Sequence, residues 1–445
     1  MSVLTHYLTN RPGHDESDVD GRILFWTGVA VIATQRLALP LGTLGVPVTL
    51  AVTFIAAAIQ LFRGRWVITA IGLIIFATFV ACGAASVVVN GATGASLTSF
   101  ILVAALWVSA VIAPASLSST HRSDGGFARG VVAASAVASL LGVVQSAWTA
   151  SGRLPLDPIG KLPGIFQMAG YRADQPVEFG GTWMKANGML MLEPSFLSLF
   201  AALSLVFLAA NVARYPRRTR YLLITLLLCG MLSSVAISGL VVLVAIPFIA
   251  LRSLRLFFGS VALLAGVVFS GIFTPIGRAF FYRIFVADGS NDARLVRPYF
   301  EILPIWLRDH LLVGEGPGAA RDLADMLTAG NWESEVTTPT VVKLLFEYGI
   351  LGTVAFLLMV SYMTASSRLP VGVKLALLIA LFVPTDGLTS HVIAPVVIFV
   401  LMSKLPVFAV HPAPVGTCNS RPTQSGVRGL PSEAVSGPVS LAQAI

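Results

Sequence analysis

Apolar runs of bilayer-crossing length recur along almost the whole chain, and nothing else in it limits the fold as strongly. A helix needs roughly 20 apolar residues to cross about 30 Å of hydrocarbon. Such runs lie at 23–38, 45–62, 66–89, 98–116, 127–149, 194–212, 221–236, 238–251, 256–274, 341–363, 373–386 and 391–407. The first is interrupted by Gln35-Arg36, and those within 221–251 and at 373–386 are short. Only 11% of the residues are charged, against about 25% in soluble domains. The expectation is an all-α polytopic membrane protein of about 12 transmembrane helices.

Arginine and lysine gather in alternate loops: Arg63 and Arg65, Arg122 and Arg129, Arg214 to Arg220, Arg252 and Arg255, then Arg368 and Lys374. With these loops inside, basic residues dominate the inner side and acidic residues the outer one, the bias of the positive-inside rule. The net charge of +8 is therefore a topology signal, and nucleic-acid binding is not indicated. The expected order is a cytoplasmic tail (1–22), helices one to five (23–149), an outer loop (150–193), and helices six to nine (194–274). A large outer loop (275–340), helices ten to twelve (341–407) and a disordered cytoplasmic tail (408–445) follow. Both termini are expected to be cytoplasmic. About twenty polar residues, with Asp15, Glu16, Asp18 and Asp20 among them, precede the first run, so no secretory leader is read. Cys82 and Cys229 fall in apolar runs and Cys418 in the tail, which indicates no disulfide framework. No internal repeat stands out.

The polar chemistry gathers in the two outer loops. In SNDARLVRPYFEILPIWLRDH, Arg294, Arg297, Glu301 and Arg308 share a helical sector, and Val296, Tyr299, Phe300, Leu303, Trp306 and Leu307 cover the other side. One reading is an interfacial helix. The other is that arginines bind a phosphorylated substrate, since guanidinium forks two donors onto phosphate oxygens. All six cations between 275 and 340 are arginines, which favours the second. Arg172 is a weaker candidate of the same kind. Gly314-Glu315-Gly316-Pro317-Gly318 precedes a helix-like AARDLADML; it reads as a tight turn or as backbone N–H groups offered to an anion. It lacks the Gly-Lys-Ser/Thr ending of a nucleotide-binding loop.

Glu193-Pro194 reads as a helix start, and a carboxylate at the outer mouth of a span is also a place for a general base. Glu347 lies in the outer part of an apolar run, where a carboxylate is costly unless paired or hydrated. Lys343, four residues earlier, is its nearest partner in sequence. Asp322 and Asp325 read as surface charge. His6, His14, His121, His310, His391 and His411 are scattered, and no zinc-type cluster indicates a metal.

These pieces, in order, resemble the O-antigen polymerase and ligase family, the Wzy-type multispan glycosyltransferases. NGMLMLEPSFLSLF, ISGLVVLVAIPF, SNDARLVRP, LLVGEGPG and KLLFEYGILG carry the resemblance between Asn187 and Thr353; the first five spans match only in hydropathy. The resemblance implies a GT-C-like fold and metal-independent, cofactor-free transfer of undecaprenyl-diphosphate-linked sugars at the outer leaflet of a bacterial inner membrane. It implies that Arg294, Arg297 and Arg172 with Gly314, Gly316 and Gly318 serve the diphosphate, and that Glu193 or Glu347 serves the acceptor. Arg172 and Gly188 also stand at the Arg-x15-Gly spacing of some polymerases. A flippase and a chain-length regulator are the implied partners. Ligases carry His-Asn or His-Ser nine residues before Gly-x-x-Gly; here Thr338-Pro339 stands there, ahead of Gly349 and Gly352. That favours a repeat-unit polymerase for exopolysaccharide over a ligase. A transporter is the alternative from another class.

Overall fold

The computed structural model describes residues 13–41, 44–90, 95–114, 125–168, 183–249, 298–304, 311–327, 338–383 and 386–402. All fall within the compact unit Met1–Pro406. The described chain is mostly helical. In order it runs α1 (Gly13–Ala33), β1 (Ala38–Leu41), β2 (Leu44–Pro47), α2 (Val48–Phe62), β3 (Trp66–Ile68), α3 (Ala70–Asn90) and α4 (Leu97–Trp107). A 3₁₀ turn (Val108–Val111) and β4 (Ile112–Pro114) precede α5 (Gly126–Ala150) and α6 (Pro194–Ala209). Then come α7 (Arg217–Ser234), α8 (Ser238–Leu243), α9 (Ile246–Ile249), a π turn (Pro298–Ile302) and α10 (Ala319–Leu327). The described chain ends with α11 (Thr340–Ser366), α12 (Val371–Phe382) and α13 (Ile393–Met402).

Three of these helices, α3, α5 and α11, are long and apolar enough to cross a membrane. Other apolar stretches give helices that are shorter or carry too many charges, for identifiable reasons. α1 begins at Gly13, inside the stretch expected to be a tail. It ends at Ala33, and Gln35-Arg36 turns off into the β1–β2 hairpin. The 221–251 stretch is cut by Val235, which adopts φ 47°, and its described residues continue as the short α8 and α9. The apolar run at 256–274, the amphipathic stretch around Arg294 and the tail from 408 lie outside the described residues.

α6 is mostly apolar, with Ser195, Ser198 and Ser204 among its residues, and is buried from Pro194 to Leu208, which makes it the centre of the bundle. α5 packs against it, and α1 packs against α5. The α1–α5 crossing is close because glycine stands on both sides: a Cβ at Gly28 would come within 2.3 Å of the Phe127 carbonyl, and one at Gly130 within 2.0 Å of the Phe25 carbonyl. Such small-residue contacts let helix backbones approach within a membrane. The outer surface is apolar in turn. On α3 alone Ile71, Ile74, Val88 and Val89 are each more than half exposed, which in water would forgo about 1.5–3 kcal/mol of burial per side chain. Lipid as solvent removes that cost.

Polar contacts between distant segments sort into two sets. One joins Asp20 to Arg63 and Arg65, Thr69 to Val111 and Tyr362, Tyr215 to Arg129, and Arg220 to Leu208. The other joins Arg36 to Asp157, Gln35 to His391, Gln145 to Asn187, Ser96 to Pro317, Ser86 to Glu347, Lys343 to Asp386 and Ser238 to Ser195. Each of α1, α3, α5, α6 and α11 contributes one end to the first set and its opposite end to the second. The bundle therefore has two polar ends with apolar packing between. Trp107, at the end of α4 away from Ser96, donates its indole N–H to the Leu388 carbonyl at 2.9 Å.

Candidate functional site

The second polar end holds most of the buried charge. Its centre is a break in α11. Gly349 adopts φ 64° and ψ −169° inside an otherwise helical stretch, so the backbone hydrogen bonds around it cannot run within the helix. Residues 311–316 supply the partners. Ile350 N–H donates to the Leu311 carbonyl at 3.0 Å and Leu351 N–H to Leu312 at 3.2 Å. In return Glu315 N–H donates to the Phe346 carbonyl at 2.7 Å and Gly316 N–H to Glu347 at 3.0 Å. Irregular backbone at membrane depth is tolerated where protein satisfies it in this way.

This patch explains the glycines. Gly314 has φ 77°, and a Cβ there would lie 2.5 Å from the Glu347 carbonyl carbon; a Cβ at Gly349 would lie 2.3 Å from the Leu312 oxygen. LLVGEGPG and KLLFEYGILG, about thirty residues apart, are thus one unit. α3 braces it: Ser86 Oγ donates to the Glu347 carbonyl at 3.0 Å, and Asn90 Nδ2 to the Gly314 carbonyl at 2.7 Å. The N–H groups of Glu315 and Gly316 are spent on α11, so the turn does not present them to an outside anion. Instead the start of α10 faces the Glu347 carboxyl, which lies near the N–H groups of Gly318 and Ala320 without a hydrogen bond of ordinary geometry to either.

Glu347 is 1% exposed, and Lys343 approaches its Oε1 at 3.9 Å. The closer partner of Lys343 is Asp386, at 2.7 Å. Asp386 comes from the turn between α12 and α13 and also accepts a hydrogen bond from the Thr389 hydroxyl. Thr340 holds that turn against α11: its hydroxyl donates to the Leu381 carbonyl at 2.6 Å and accepts from Gly387 N–H at 2.7 Å. Asp386 was not among the residues singled out from the sequence. The signal for it was a Thr-Asp-Gly between two apolar runs, where a carboxylate needs a partner.

Glu193 occupies the N-cap position of α6 without a side-chain cap, with Pro194 first in the helix. Ser195 Oγ donates to its Oε2 at 3.2 Å. The preceding ANGMLML segment is irregular, with Gly188 and Met189 both at positive φ. Gln145 Oε1 of α5 receives the N–H groups of Asn187 and Gly188, each at 3.1 Å. Gln35 Oε1 receives Leu192 N–H at 3.3 Å, and His391 Nε2 lies 2.9 Å from the Gln35 carbonyl. The two candidate carboxylates are linked to the 386–392 turn differently. Glu347 is joined to it by Lys343 and Asp386, whereas for Glu193 only the backbone of the preceding Leu192 is connected, through Gln35, to His391.

Arg36 makes a two-pronged ion pair with Asp157, with both N–O distances 2.6 Å, and donates to the Met189 carbonyl at 2.9 Å. Burial alone would raise the Asp157 carboxyl; the hydrogen bonds from Arg36 and the Gly160 and Ile159 N–H groups, with the Arg36 charge, hold it below the usual range. The interruption at Gln35-Arg36 in the first apolar run is thus a structural junction between α1 and the 150–192 segment. Arg172, Arg294 and Arg297 lie outside the described residues. The π turn that begins at Pro298 packs through Ile302 with Ala320 of α10 and Val342 and Phe346 of α11.

No protein-family model matches the chain, and no curated protein matches it.

Proposed function

We propose that the protein is a membrane glycosyltransferase that polymerises oligosaccharide units carried on undecaprenyl diphosphate, at the outer leaflet, for a surface polysaccharide or exopolysaccharide. In this reading it is a GT-C-like enzyme of about 12 spans, and the second polar end of the bundle faces outward. A bacterial inner membrane is the implied location, with a flippase and a chain-length regulator as partners. The observation that carries the reading is the meeting of the glycine turn with the Glu347–Lys343–Asp386 group at the break in α11, at the end of the bundle where α6 begins with Glu193 at its N-cap.

In the reaction, a sugar hydroxyl of the acceptor attacks the anomeric carbon of the donor. The new carbon–oxygen bond forms as the bond to the diphosphate breaks, and the electron pair leaves with the lipid diphosphate. The hydroxyl proton passes to a carboxylate, with Glu193 and Glu347 as the candidates. Arg294 and Arg297 are assigned to the leaving diphosphate, because developing charge there is stabilised by fixed guanidinium groups. Pro298, bonded to Arg297, opens the turn that packs on α10 and α11. Arg172 has the same assignment from the other loop.

The test is substitution of Arg294→Ala and Arg297→Ala. Polymer is expected to disappear while protein level stays unchanged, and wild-type polymer from both variants would remove the diphosphate assignment. The Thr338-Pro339 pair, where ligases resemble His-Asn or His-Ser, favours polymerisation over ligase-type transfer. One observation supports a transport reading: a broken helix beside buried charges is also how transporters build midplane sites. Uptake or flipping of lipid-linked glycan by the purified protein, without new glycosidic bonds, is the outcome that would favour it.

A further inference from the structure

Three charged side chains meet where α11 breaks, and they are not equivalent. Lys343 lies 2.7 Å from Asp386 and 3.9 Å from Glu347. Asp386 is further engaged by the hydroxyl and N–H of Thr389. Glu347 is buried; no other side chain bonds its carboxyl oxygens closely, and its neighbours are Lys343 at 3.9 Å and the N–H groups of Gly318 and Ala320. A buried carboxyl normally has a close ionic or hydrogen-bonding side chain, so one left with a 3.9 Å ammonium while that ammonium pairs with another carboxylate calls for a reason. The groups facing it are Lys343 and the buried Tyr348 on its own helix, Asp386 from the α12–α13 turn, and the start of α10, where Arg321 lies close to Lys343. α3 contributes Ser86 and Asn90, both spent on backbone carbonyls.

We propose that Glu347 is a proton-exchanging carboxyl and that Asp386 is its positioning residue, holding the Lys343 ammonium away so that the Glu347 carboxyl has no close counter-ion. Resting on the transferase reading, Glu347 rather than Glu193 is then the group that receives the acceptor hydroxyl proton and later returns it to water. Glu193 already accepts from Ser195 at 3.2 Å. The break in α11 serves the arrangement, since it sets Glu347 against the start of α10.

Dicyclohexylcarbodiimide tests this on the full-length protein in detergent or bilayer discs. This apolar reagent adds to a protonated carboxyl and rearranges to a stable N-acylurea, which peptide mass spectrometry locates. The expected result is an adduct on Glu347 and none on Asp386. In Asp386→Asn, Lys343 turns to Glu347 and labelling falls by roughly tenfold or more, the shift that one hydrogen bond to a charged group produces. Asp386→Glu keeps the wild-type pattern, and Asp386→Asn with Lys343→Met restores the Glu347 adduct because both competing charges are gone. An adduct on Asp386, no adduct on Glu347 in the wild type, or undiminished labelling in Asp386→Asn would overturn the proposal. The adduct reports the carboxyl itself, so failure to find glycan transfer would remove the enzyme reading and leave this result standing.

Discussion

Ile350 passes its backbone N–H to the carbonyl of Leu311, 3.0 Å away and thirty-nine residues earlier in the chain. Within a helix that N–H would have gone to Phe346, whose carbonyl instead receives Glu315 N–H. The exchange locks residues 311–316 into the break at Gly349, and Glu347 is held where it is as a consequence.

The fit leaves no room for a methyl group. Gly349→Ala and Gly314→Ala each place a Cβ within 2.5 Å of backbone at a positive φ. A non-glycine residue in that conformation costs about 1–3 kcal/mol before any overlap is counted. Both variants are expected to unfold at lower temperature in detergent than the wild type. Gly164→Ala, where a Cβ meets nothing within 4 Å, is expected to stay within about 0.5 kcal/mol. Equal melting of all three would contradict the patch.

The Arg36–Asp157 pair predicts an acid limb of stability. The folded protein holds the Asp157 carboxyl below its ordinary range, so it binds fewer protons there than the unfolded chain. Its contribution is complete above the ordinary carboxylate range and is lost as pH falls through the lowered folded value. Asp157→Asn strands a buried Arg36 and is expected to cost roughly 3–5 kcal/mol at neutral pH. It should also flatten the acid limb measured by thermal unfolding; an unchanged slope would show that the pair is not the source.

Topology follows from the two polar ends. Leu154, 86% exposed after α5, belongs to the outward end in the proposed orientation, and the exposed Arg218 at the start of α7 to the inward one. In a chain without other cysteines, Leu154→Cys is expected to react with an impermeant maleimide in intact cells. Arg218→Cys is expected to react only after permeabilisation. The reverse pattern would invert the site to the cytoplasmic face.

Much of this was legible in the sequence, and the rest was hidden for physical reasons. Hydropathy marks α3, α5 and α11, because each is a long uninterrupted run in a chain with few charges. It also marks two of the places where helices stop, since Gln35-Arg36 interrupts the first run and the gap between 236 and 238 lies next to the turn at Val235; what it does not show is the backbone geometry that makes those stops. Glu347 and Lys343 stood out as charges in an apolar run, yet spacing alone paired them with each other. The nearer partner, Asp386, is forty-three residues from Lys343, and only folding brings the two together. The glycines of GEGPG read as a turn or an anion nest because their partner, the break at Gly349, is a tertiary feature.

The measurement that bears most directly on the central claim is the size profile of surface and lipid-linked glycan in cells lacking this gene, compared with cells given it back. Single lipid-linked repeat units without polymer, reversed by the wild-type gene, are the result expected of a polymerase. Long unattached chains would move the assignment to ligase-type transfer. An unchanged profile would contradict the enzyme reading altogether.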